Sequence, residues 1–139
     1  MNLIQNIENY YIRMIMAGML GILAYFYGNL DALMLAMLSI MLLDFIGNIT
    51  KDIYLKNINS KSMFKIIAKK MGILCIVAVA NIIDSILEVA GVLRSLSIAY
   101  FIAHEGISII ENWGAMGLPV PKKLKSILLQ LKDEDTLDK

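Results

Sequence analysis

The chain has 139 residues, enough for one domain, and is 58% apolar and only 18% charged, with a mean hydropathy of +0.68. A water-soluble domain carries about 25% charged and 45–50% apolar residues, so this composition excludes an ordinary soluble domain and asks for a bilayer. The net charge of +1 excludes a generally basic surface, and no nucleic-acid partner is expected.

Four apolar stretches follow one another, over about 11–27, 30–49, 71–89 and 92–110. Each approaches the 20 or so residues that a helix needs to cross about 30 Å of hydrocarbon. Helices are the only spanning form open to it, because so few segments cannot close a barrel. The spacing predicts an all-α integral membrane protein with about four transmembrane helices arranged as two hairpins. A three-span count, with the first stretch lying in the interface, is the alternative. Gly28-Asn29, followed by Asp31, marks the first tight turn, and Gly91 marks the second. The first stretch follows Glu8, contains only Arg13 as a charge, at its start, and has no small-x-small cleavage site after it. It is expected to be a retained helix and not a signal peptide.

The lysines set the expected orientation. Lys51, Lys56, Lys61, Lys65, Lys69 and Lys70 lie between the hairpins, and Lys122, Lys123, Lys125 and Lys132 follow the fourth stretch. The positive-inside rule then places both termini and a basic loop over 51–70 in the cytoplasm. Met63, Phe64, Ile66 and Ile67 interrupt these lysines. Such a mixture fits a segment lying on anionic headgroups, each lysine adding about 1 kcal/mol of attraction. It equally fits a solvated loop with helix ends protruding from the membrane.

Ionisable groups at membrane depth are costly, at about 2.5–3.5 kcal/mol each near the bilayer centre. Asn81, Asp84, Ser85 and Glu88 share one helical face; Ser97, Tyr100, His104, Ser108 and Glu111 form a second stripe, with Glu105 beside it. Asp44, Asn48 and Lys51 form a third. Each face must avoid lipid, which self-association would achieve, so Asp44, Asn81, Asp84, Glu88, His104, Glu105 and Ser108 are candidates to face an oligomer interface or enclosed water. The alternative is pairing within one chain, such as Glu88 with Arg94 across the turn, or a protonated, hydrogen-bonded Glu105. Ala17 and Gly21 form a small-xxx-small pair that permits close helix approach. Cys75 and the ten methionines read as apolar filler.

Catalytic signals are missing. His104-Glu105 lacks the second histidine of a zincin, since position 108 is serine, and there is no cysteine cluster, phosphate loop or nucleophile elbow. Neither an enzyme nor a cofactor or metal site is expected. The residues 1–113 read as the transmembrane domain and 114–139 as a charged cytoplasmic tail. Gly114, Gly117, Pro119 and Pro121 break the fourth helix, and Trp113 suits an interface anchor. Leu124, Ile127, Leu128 and Leu131 then predict a short amphipathic helix, with Lys122, Lys123 and Lys125 positioned to contact the cytoplasmic face of the membrane.

The stretch Glu105-x-x-Ser108-Ile-x-x-Asn112, followed by Gly117-Leu-Pro-Val-Pro-Lys-Lys-Leu124, resembles the phage holins of the toxin-secretion and phage-lysis family. The likeness extends back to Asp44, before the lysine-rich segment, and to Asp84, covering roughly the last two-thirds of the chain. It implies a homo-oligomer of the cytoplasmic membrane that assembles into lesions, releasing an endolysin or, in export variants, a toxin. A small ion or proton channel or transporter subunit using Asp84, Glu88 and Glu105 is the alternative. A membrane adaptor acting through its tail is a third reading.

Overall fold

The computed structural model describes residues 2–133, all of the regular structure being helical: α1 (Asn2–Tyr27), α2 (Ala32–Tyr54), α3 (Ser60–Leu87), α4 (Val92–Ala115) and α5 (Lys122–Asp133). Among the described residues, three helices are long and apolar enough to cross a membrane: α1 from Ile4, α2 and α3. The protein is therefore an all-α membrane protein with a short C-terminal helix.

Side-chain caps fix several helix starts. Asp31 accepts from Met34 N at 2.9 Å to open α2, and Asn59 accepts from Ser62 N at 2.6 Å to open α3. The lysine-rich segment expected as a loop over 51–70 is mostly helical, and only 55–59 connects α2 to α3. Lysine is a good helix former, so α3 continues through Lys61, Lys65, Lys69 and Lys70 and reaches about 42 Å, longer than the hydrocarbon is thick.

The core is shared by α2, α3 and α4. Met34, Met37 and Met41 pack with Ile73, Val77, Ile98 and Phe101, and Met37, Val77 and Ile98 are fully buried. Methionine serves here as the flexible filler that the composition implied. Helix α4 is the most enclosed, packing on α2, α3 and α5. It carries Arg94, Glu105 and Asn112 inward. Its first turn meets the α1–α2 turn and its last meets Lys51 of α2, so α4 runs the length of α2.

Helix α1 stands apart. The first hairpin has the expected tight turn, yet α1 leans on α3 near that turn instead of lying along α2. An apolar cleft opens between them, lined by Leu20, Leu23, Ala24, Met34, Leu38 and Leu74. No residue in the spanning part of α1 is buried within the chain.

Candidate functional site: two polar clamps on α4

Arg94 forms the first clamp. Its Nε donates to Tyr27 O at 2.7 Å, Nη2 donates to Asn29 O at 2.7 Å, and Nη1 donates to Asp31 Oδ2 at 2.8 Å. One guanidinium thus satisfies two carbonyls that the end of α1 leaves without helical partners, and it also pairs with a carboxylate. The Arg94 hydrogen bond, with help from Met34 N, holds the Asp31 carboxyl below its ordinary pKa. Gly28 makes the geometry possible: its φ is +69°, and a Cβ there would come within 2.9 Å of Asn81 Oδ1. Asn81 Nδ2 donates to Tyr25 O at 3.2 Å and ties α1 to α3.

Asp84 supports this clamp from α3. Its carboxylate accepts from Leu93 N at 2.9 Å and from Arg94 N at 2.7 Å, capping the start of α4 from another helix. Glu88, on the same sequence face, lies exposed at the end of α3 with φ +53°. The Glu88–Arg94 pair weighed from sequence does not form; Arg94 takes Asp31 instead. Asp84 and Glu88 therefore have different surroundings within the chain.

The second clamp lies toward the other end of α4. The Lys70 ammonium sits between Asp44 Oδ2 and Glu105 Oε2, joining α2, α3 and α4 through one charge. Asp44 is 1% exposed and Glu105 0%. Asp44 also accepts from Asn48 Nδ2 at 2.9 Å and from Asn112 Nδ2 at 3.4 Å, and Lys51 Nζ donates to Asn112 Oδ1 at 2.7 Å. Among the described residues Glu105 has only lysines as partners: Lys70, and Lys69 at 3.9 Å, whose side chain is 47% exposed. A buried carboxylate pair held by one ammonium is a geometry in which removing the cation is costly.

Of the seven residues expected to face neighbours, the structure joins Asp44 and Glu105 through Lys70. It places Asp84 and Asn81 near the first clamp. His104 is half-buried, its ring stacked on Tyr100 with centroids 6.1 Å apart, and Ser108 is half-buried one turn further along α4. The sequence reading missed Lys70, Asn112 and Asp31 as clamp members. Lys70 directly precedes the apolar run at Met71, and that adjacency was the available signal of its depth.

These features define a class: a compact membrane bundle whose polar groups are paired around one central helix, with an additional, unpacked apolar helix at its side. Residues 21–133 match the bacteriophage holin family, and the chain belongs to that family. It is 36% identical over 98 residues to a probable holin of Bacillus phage phi105, covering 70% of this chain and 72% of that protein. An uncharacterised protein of Listeria monocytogenes is 38% identical over 130 residues, covering 88% and 93% respectively. An uncharacterised 14.9 kDa protein from the nagH 3′ region of Clostridium perfringens is 34% identical over 131 residues, covering 94% and 98%. No solved structure matches the chain.

Proposed function

We propose that this protein is a non-enzymatic holin. It inserts into the bacterial cytoplasmic membrane with four crossings, both termini inside, then self-associates and opens lesions that pass an endolysin or an exported toxin. Family membership supports the holin role. The observation that carries self-association is α1, a helix of 26 residues with no buried face in its spanning part. Lipid solvates such a helix in the monomer, while Ala17 and Gly21 allow close contact with another helix when copies accumulate. The interface is thus expected on α1 and on exposed groups such as Glu88, with Asp44, Asp84 and Glu105 holding each subunit together.

The channel reading draws less support. It needs Asp84, Glu88 and Glu105 along one path, yet Asp84 caps one end of α4 while Glu105 is paired with Lys70 toward the other.

Expression of the protein without any partner in a bacterial cell tests the proposal. Growth should stop and the membrane potential collapse after a delay set by accumulation. Continued growth with an intact potential, at confirmed membrane expression, overturns it.

A further inference from the structure

Helix α5 does not project away from the bundle. It folds back so that Leu128 lies on Gly106 of α4, where a Cβ would come within 3.2 Å of the leucine side chain. Val120 lies against Gly114 in the same way, at 3.5 Å. Gly106 is about 13 Å short of Ala115 along the helix axis, so α5 sits beside the last turns of α4, at the lysine-rich end of the bundle.

Only part of the apolar face of α5 is used in this contact. At helical spacing Leu124, Ile127, Leu128 and Leu131 fall within a face roughly 100° wide. Leu128 is half-buried, whereas Leu124 is 47% and Ile127 46% exposed. Lysines border that face on both sides, Lys123 along one edge and Lys125 along the other. An apolar stripe edged by cations is the pattern of a helix lying in a headgroup layer, its leucines toward acyl chains and its ammonium groups at phosphate level.

We infer that the Leu124–Ile127 side of α5, with Lys122, Lys123 and Lys125, is a binding surface for anionic phospholipid headgroups. The lysines supply the charge complementarity, and the Leu128–Gly106 contact holds the helix against α4 at interface depth. This inference requires only that the chain is inserted in a bilayer, and it stands or falls separately from lesion formation.

The test uses the full-length protein with Cys75→Ala and a single spin-labelled cysteine, Ile127→Cys or Gln130→Cys, in vesicles. The vesicles contain phosphatidylcholine alone or phosphatidylcholine with phosphatidylglycerol. With phosphatidylglycerol, the label at 127 should favour oxygen over a water-soluble nickel chelate, and the label at 130 should show the inverse preference. The preference at 127 should shift toward nickel without phosphatidylglycerol. It should shift likewise when Lys122, Lys123 and Lys125 are all changed to glutamine. The lipid comparison needs no lysine change, so it decides the matter even if the triple variant fails to fold. Nickel preference at 127 in both lipids, or unchanged oxygen preference in both, overturns the inference. Shielding of 127 from both reagents also overturns it, by identifying a protein partner on this face.

Discussion

Lys69 and Lys70 are neighbours in one helical turn, and their replacement by methionine should have very different consequences. Lys70→Met removes the single ammonium held between Asp44 and Glu105, whose side chains are 1% and 0% exposed. Asp44 retains Asn48 and Asn112 as donors, but Glu105 retains only Lys69 at 3.9 Å. Removing one partner from a buried ion pair costs about 3–5 kcal/mol, and this site belongs in that range because Glu105 has no other partner than Lys69 among the described residues. Lys69→Met removes a cation that is 47% exposed and beyond hydrogen-bonding distance, so its cost is below about 1 kcal/mol. Adding Glu105→Gln to Lys70→Met removes the stranded charge and should recover part of the loss. Unfolding of the purified protein in mixed micelles, followed by fluorescence of Trp113, measures all three. Equal losses from the two methionine variants would refute the clamp.

Asp84→Leu deprives two backbone donors at the start of α4 of their acceptor and should cost about 2 kcal/mol, while Glu88→Leu should stay within about 0.5 kcal/mol, both read in the same unfolding assay. Gly28→Ala places a Cβ at a left-handed φ and against Asn81 Oδ1, so it should destabilise by about 1–2 kcal/mol or more; the check is its unfolding midpoint beside that of Gly18→Ala, where space is open. The Arg94–Asp31 pair sets a pH dependence. Because the folded-state pKa of Asp31 is depressed, its contribution is complete above the ordinary carboxylate value near 3.9 and is lost as pH falls through the lower folded value. Thiol labelling of Asn29→Cys should therefore be unchanged from neutral pH down to about 5, then follow an increase in turn opening below about 4 once corrected for thiolate fraction.

The apolar stretches, both tight turns and the amphipathic tail helix were legible in the sequence because each rests on local periodicity or a local breaker. Gly28 and Gly91 both adopt positive φ at the expected turns. The polar groups were less legible, since their partners are remote in sequence. Asp84 and Glu88 share a helical face on a wheel, yet the helix ends at Leu87, and Glu88 is itself the left-handed, exposed residue beyond it. Arg94 lies near Glu88 in sequence but reaches Asp31, which only the packing of the two hairpins brings close. Lys70 was grouped with the loop lysines because composition gives no depth, and α3 continues through it without a break. The resemblance carried by residues 105–124 led to the family that the match over 21–133 establishes.

The most direct measurement of the central claim is passage of a folded protein across the membrane. The chain is co-produced in a bacterium with a cell-wall hydrolase that has no export signal, and culture turbidity is followed. An abrupt fall in turbidity, after a delay, is expected only when both are present; this protein alone should halt growth with the wall intact and turbidity level, and the hydrolase alone should leave growth unchanged. Constant turbidity, with this protein in the membrane and the hydrolase active in cell extracts, would contradict it.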